Sequence, residues 1–252
     1  MTGADGGGDA RRDDLAQRYA AARARLDAAI DATGRRRDDV ELLVVTKFFP
    51  ADDVTRLIGL GVRSFGESRE PEAGRKIAEV RSAALDDTAT DARFDMIGSV
   101  QSKKAKTIAE WARSVHSVDR DKIVDALARG AQAALDSGAR TADLGILLQV
   151  SLDGDPHRGG ATEDELPALA ERVIGADGLS LKGLMVIAPV EGSAERWMQR
   201  AAEIQRRFVE EHPEAWQLSA GMSGDLEEAV AHGSTCVRVG TAIMGPRPLV
   251  SQ

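Results

Sequence analysis

Cysteine occurs once in the chain, at Cys236, so no internal disulfide can form and a reducing compartment fits. Flanked by Thr235 and Val237 in an apolar run, this thiol reads as a buried structural group rather than a nucleophile. Tyrosine also occurs once, at Tyr19, and aromatic residues make up only 4% of the chain. The four histidines, His116, His157, His212 and His232, have no ligand-like spacing, which argues against a metal-dependent hydrolase. Only His116 falls near a strand end, where a hydrogen-bonded structural histidine is the simpler role. No apolar run is long enough to span a bilayer, and the start, MTGADGGGDARRDD, lacks an apolar signal core. A cytoplasmic protein with no membrane partner is therefore expected. Excess basic charge is missing as well. The formal net charge is −8, and the clusters Arg35-Arg36-Arg37 and Lys103-Lys104 with Lys106 read as solvated faces, so no nucleic-acid partner is expected.

What the chain does have is an alternation of short apolar runs and amphipathic segments. Hydrophobic residues make up 42% and charged residues 29%, an ordinary globular balance over 252 residues. A leading helix is expected from Asp14 to about Thr33, with Leu15, Tyr19, Ala22, Leu26 and Ile30 on one stripe and Gly34 as a stop. Candidate strands follow at Leu42–Thr46, Arg63–Gly66, Phe94–Gly98, Ser114–Val118, Leu144–Ser151, Leu181–Ala188, Trp216–Ser219 and Val237–Gly240. Helical patterns lie between them near 52–60, 69–84, 103–112, 120–136, 163–175, 193–211 and 224–232. Eight strands separated by helices predict an α/β fold, a single (β/α)8 TIM-type barrel with an extra N-terminal helix. Residues 1–9, rich in Gly and Asp, are expected to be a disordered lead-in, and residues 10–252 one barrel domain. The polar loop Asp86–Asp91 is the only weak linker candidate.

The run Glu41-Leu-Leu-Val-Val-Thr-Lys47 reads as a buried strand ending in a lysine. Strand C-terminal ends face the active site in such barrels, and a lysine there must be paired, hydrated or chemically used. Lysine forms Schiff bases once deprotonated, and a mouth made apolar by Phe48 and Phe49 favours the neutral amine. An ion pair with a carboxylate such as Glu67 is the alternative. Phosphate commonly sits at the loops after strands seven and eight of these barrels. Here those loops are Ser219-Ala-Gly-Met-Ser223 and Gly240-Thr-Ala-Ile-Met-Gly245, either of which alone would pass for an ordinary turn. Arg238 alternates with Val237 and Val239, so it points opposite to them, into the barrel or toward the helices.

Several stretches carry a family resemblance: Val44-Val-Thr-Lys47, Phe65-Gly-Glu67, Phe94-Asp-Met-Ile-Gly98, Gln101-Ser-Lys103 and His116-Ser-Val-Asp119. Gly183-Leu-Met185, Leu218-Ser-Ala-Gly-Met-Ser223 and Gly233 through Gly245 continue it in order. From about residue 40 onward the chain resembles the pyridoxal 5′-phosphate (PLP) homeostasis proteins, relatives of the barrel domain of alanine racemase. That resemblance implies a PLP barrel of fold type III without the C-terminal β domain, with Lys47 carrying PLP as an internal aldimine. It further implies that Ser219, Gly240 and Thr241 hold the phosphate, that Arg238 meets the pyridine nitrogen, and that Met185 packs by the ring. A plain core role for Met185 stays open. Ser68 stands where the family usually has Asn, so a cofactor contact there is missing or water-mediated. The implied function is buffering and delivery of PLP, with PLP-requiring apoenzymes as partners and a monomer or weak dimer as the working form.

Two rivals share the barrel. An amino-acid racemase needs a second acid/base opposite the lysine, supplied in alanine racemases by a tyrosine of an added β domain. Here Tyr19 lies on the leading helix and the chain closes soon after the barrel motifs, so racemase turnover is not expected. A barrel that binds another phosphorylated metabolite without a covalent bond would keep the cradle and use Lys47 as a phosphate ligand.

Overall fold

A computed structural model describes residues 6–83, 91–155 and 159–247. The loop expected at Asp86–Asp91 and His157 fall largely or wholly outside the described residues, as do residues 1–5 and 248–252. Eight parallel strands close into a barrel in sequence order, with β1 also paired to β8. They are β1 (Glu41–Val45), β2 (Ser64–Glu67), β3 (Arg93–Met96), β4 (Ser114–Val118), β5 (Leu144–Val150), β6 (Leu179–Val186), β7 (Gln217–Ser219) and β8 (Cys236–Val239). The helices are α1 (Gly6–Ala32), α2 (Ala51–Gly59), α3 (Glu72–Ala83), α4 (Ala105–Trp111) and α5 (Asp121–Asp136). They continue with α6 (Leu166–Ile174), α7 (Ala194–Glu211), α8 (Leu226–Ala231) and a short α9 (Thr241–Met244).

Every predicted strand is present, with ends displaced by at most two residues. α9 is additional to the expected helices. Residues 6–9, expected to belong to a disordered lead-in, begin α1 instead. The strands are apolar because both faces are covered, which is why β5 is buried at every position. One face packs on the helices: Leu42, Val44, Phe65, Leu184 and Val186 join the main core with Ile58, Ile77 and Leu127. The other face fills the lumen. Leu43 lies there with Gly66, where a Cβ would crowd Ile97 at 3.1 Å and Leu43 at 3.2 Å.

α1 keeps the predicted stripe, with Leu15, Ala22, Leu26 and Ile30 buried and Tyr19 half-buried. It lies across the line where the barrel closes. Arg11 reaches Asp53 of α2 at 2.7 Å and the Met244 carbonyl of α9 at 3.1 Å. Arg25 pairs with Glu227 of α8 and also donates to the Ser223 carbonyl at 2.7 Å. Beyond the helix, Arg35 donates to the Ser234 carbonyl just before β8. Two arginines of the basic cluster at 35–37 are thus engaged by the fold, since Arg37 pairs with Asp31 at 2.9 Å.

Candidate functional site

β1 ends at Val45, one residue earlier than its apolar run suggests. The Thr46 hydroxyl donates to Glu67 Oε1 at 2.7 Å, and the Thr46 carbonyl accepts from Lys76 Nζ at 2.9 Å. With Thr46 held in this way, Lys47 falls in the turn after the strand and is exposed, not part of a buried strand. Nor does it pair with Glu67. That carboxylate, 3% exposed, is claimed by Lys76 of α3 at 2.7 Å. Lys76 escaped the sequence reading because a lysine on an amphipathic helix looks like part of a solvated face. The apolar surroundings of Lys47 are partial: its Nζ lies 5.8 Å from the Phe48 ring centroid, and the Arg247 guanidinium lies 3.9 Å from the same ring. Phe48 itself is exposed and sits at φ 71°, an uncommon conformation for a bulky residue.

Lys47 and Ser68 line one cavity of about 390 Å³ together with Phe48, Phe49, Glu67 and Lys76. Ser68 is fixed from behind, since its backbone packs directly against Gly98, where no side chain would fit. On the neighbouring edge, β1 pairs with β8 through Val44 and Val239, which brings Gly240 and Thr241 beside the end of β1. A Cβ at Gly240 would make only an ordinary 3.4 Å contact with Val45. The chain's own packing therefore does not demand glycine there, whereas close approach of a ligand to the backbone would. Thr241 is exposed at the first position of α9, where backbone N–H groups have no partner inside the helix.

The remaining predicted residues meet inside the lumen. Arg238, 5% exposed, points into the barrel: it donates to Ser219 Oγ at 2.6 Å and to the Val186 carbonyl at 2.8 Å. Ser219 Oγ also meets His116 Nδ1 at 3.0 Å. β4 and β7 are not neighbours in the sheet, so this last bond crosses the lumen. Met185 is the register partner of Ser219 and is buried. Burial holds the Arg238 guanidinium below the ordinary arginine value, and no carboxylate among the described residues pairs with it. An unpaired buried cation is costly unless a ligand or solvent meets it.

His116 has both ring nitrogens engaged, as its structural reading requires, with Ser114 Oγ at 3.1 Å and Asp95 Oδ2 at 3.5 Å. Asp95 in turn pairs with Arg113, and Arg113 with Glu41 at 2.8 Å. A polar chain thus runs from Arg238 down to Glu41 through the centre of the barrel. Burial alone would raise the Asp95 carboxyl, but His116 and Arg113 hold it well below the usual carboxylate range. Cys236, free and buried, is pushed up to about 12 by desolvation, with Glu41 and Asp95 nearby adding to the rise. Alkylation of the native protein by iodoacetamide at pH 8 should therefore be slower than that of the denatured chain by on the order of 1000-fold, read by mass spectrometry. Rapid native labelling would contradict the placement. Among the described residues no His, Cys, Asp and Glu gather to hold a metal.

These donors suit an aromatic aldehyde that bears a phosphate: an exposed amine, a glycine–threonine cradle and a buried guanidinium without a carboxylate. The sequence profile of the alanine racemase N-terminal domain matches residues 19–248. The pyridoxal phosphate homeostasis protein of Mycobacterium tuberculosis is 45% identical over 248 residues, covering 96% of both chains. The chain belongs to the pyridoxal phosphate homeostasis protein family. Within that family, the Escherichia coli protein is 33% identical over 93% of this chain and 97% of its own. PipY of Synechococcus elongatus, solved with PLP bound, superposes with a TM-score of 0.75 at 30% identity, covering 92% of this chain and all of PipY. Alanine racemase of Corynebacterium glutamicum, at 12% identity and a TM-score of 0.64, shares the fold, and this chain spans 62% of its length.

Proposed function

We propose that this homeostasis-family barrel holds PLP at Lys47 and serves as an intracellular buffer and donor of the cofactor. The observation that carries this reading is the exposed Lys47 amine beside the Gly240–Thr241 cradle, in a chain 30% identical to a relative solved with PLP bound. PLP supplies an aldehyde that bonds to primary amines and a ring that draws electrons from them. The protein's residues set what that chemistry can do. Lys47 supplies the amine, and Gly240 and Thr241 offer backbone N–H groups and a hydroxyl to the phosphate. Ser219, expected to hold the phosphate as well, accepts at its hydroxyl oxygen from Arg238 and so stands beside that guanidinium. Arg238 is a permanent cation, and a donor that cannot give up its proton leaves the pyridine nitrogen unprotonated, which weakens electron withdrawal. Met185 packs behind these groups, and Ser68 leaves room for water where the family usually has Asn.

Such a site favours storage over turnover. The single tyrosine, Tyr19, lines a cavity at the opposite end of the barrel and cannot serve as a racemase base beside Lys47. Exposure of Lys47 gives incoming amines access to the stored cofactor, which suits release to PLP-requiring apoenzymes in the cytoplasm by a monomer. No helix of the described residues is long and apolar enough to cross a membrane.

The deciding experiment is borohydride reduction of protein purified from PLP-replete cells, followed by peptide mapping. A yellow protein with the pyridoxyl mass on Lys47 is the expected result. A colourless protein that takes up no PLP, or the mass on Lys76 instead, overturns the assignment.

A further inference from the structure

We propose that the cavity at the N-terminal end of the barrel, opposite Lys47, is a second binding site for a small molecule carrying a phosphate or carboxylate group. This cavity holds about 580 Å³ and is lined by the starts of β1, β2, β3, β4, β5, β7 and β8 with the loops before them, and by Lys182 of β6. The chain as a whole carries a net charge of −8, yet six basic side chains line this cavity against four acidic ones. Most of the basic side chains are already held: Arg113 by Glu41 at 2.8 Å and by Asp95, Arg37 by Asp31 at 2.9 Å, Arg23 by Asp27 at 2.6 Å and Arg63 by the Ile58 carbonyl at 2.8 Å. That leaves Arg93 and Lys182 as the loosely held cations. Arg93 reaches Glu41 only at 3.8 Å and keeps 54% of its side chain exposed. Lys182 has no carboxylate partner among the described residues.

How Lys182 comes to be there separates a built site from a solvated rim. Ile146 pairs with Leu181 and Leu147 with Gly183, so Lys182 is the extra residue of a bulge in β6. Bulges re-aim side chains next to sites. Gly183 sits at φ 148°, and a Cβ there would lie 1.8 Å from the Gln217 carbonyl oxygen, so only glycine permits the bulge. On the neighbouring strand β5, Gly145 clears the space: a Cβ there would come within 3.3 Å of the Lys182 Cγ and 3.0 Å of the Ser114 Cβ. A lysine that merely shielded the barrel floor with its stem would need neither the bulge nor the two glycines. Trp216, 55% exposed on the wall of the same cavity, adds a flat apolar surface beside the cations. An ammonium and a loosely held guanidinium around one polar space are the complement of a carboxylate or phosphate.

Inorganic phosphate titrated into the PLP-loaded protein tests this, with binding followed by calorimetry and by tryptophan fluorescence. One saturable site is expected. Lys182→Met should weaken it by at least about tenfold and Lys182→Arg should restore it to within about threefold. The visible band and the melting temperature should match the wild type in both variants. If the protein takes up no PLP, phosphate can also occupy the Gly240–Thr241 cradle, but that binding is indifferent to Lys182 and the comparison still reads the second site. No saturable binding up to about 20 mM, or a Lys182→Met variant that binds like the wild type, overturns the proposal.

Discussion

Lys47→Ala is expected to yield a colourless protein with no borohydride-stable cofactor. PLP retention should fall on the order of 100-fold, about 2.7 kcal/mol, as measured by dialysis against free PLP. The loss is large because Lys47 supplies the only proposed covalent bond, while the hydrogen bonds proposed for Arg238 and the Gly240–Thr241 turn would survive the substitution. Lys47→Arg separates the two ways in which Lys47 could hold a phosphorylated ligand. Arginine keeps the positive charge but forms no stable bond with an aldehyde at neutral pH. A variant as colourless as the alanine one points to covalent anchoring. Retention close to wild type would make Lys47 a phosphate ligand and favour a barrel that binds phosphorylated metabolites without a covalent bond.

The second large effect concerns the polar chain in the lumen. Asp95 is fully buried between Arg113 and His116, and Asp95→Asn removes its charge while keeping its shape. Breaking a buried pair costs about 3–5 kcal/mol. Arg113 keeps about a third of its side chain exposed, so the lower figure, about 3 kcal/mol, is the expected loss. That corresponds to a fall in Tm of roughly 6–12 °C. The direction with pH follows from the depressed carboxyl. Its stabilising charge is fully present above the unfolded aspartate value of about 3.9 and is lost as pH falls further through the lower folded value. The gap between wild type and Asp95→Asn should therefore be constant from pH 7 to about 5 and narrow below about 4. Denaturant unfolding at each pH measures it, and a gap that stays constant down to pH 2 would show that the Asp95 charge is not what stabilises the barrel.

Much of the barrel is legible along the chain because each strand is a short apolar run and each helix an amphipathic one. α9 is not: four residues are too few to show a helical period. Arg238 was legible as opposed to its valine neighbours, but not its direction, since the partners that turn it inward, Ser219 and Val186, lie on other strands. The chain from Glu41 to Arg238 is hidden for the same reason, as it draws on β1, β3, β4, β7 and β8, which meet only when the sheet closes. Asp95 did leave a trace, a charge set between Phe94 and Met96 in a buried strand. Lys182 left none, because a bulge in β6 is a property of its pairing with β5. The position of Lys47 was right to within a turn. Its burial was overestimated because the side chains that end the strand, Glu67 and Lys76, come from β2 and α3.

The first strand of this barrel is hydrogen-bonded to the last, and α1 is fastened across that same join by Arg11 and Arg25. As the polypeptide is synthesised, β1 therefore waits with one edge open until nearly every other element has emerged. α1 precedes β1 in the chain, yet its docking surface lies on α8 and α9, which come last among the helices described. Closure is a long-range step with a high loop-closure cost, and the exposed edge in the interim is a template for wrong pairing. Once β1 and β8 have paired, α1 docked on α8 and α9 holds the two sides of the join together. In this light the charged residues along α1 are less ornaments of a surface helix than a latch on the barrel's last-formed seam.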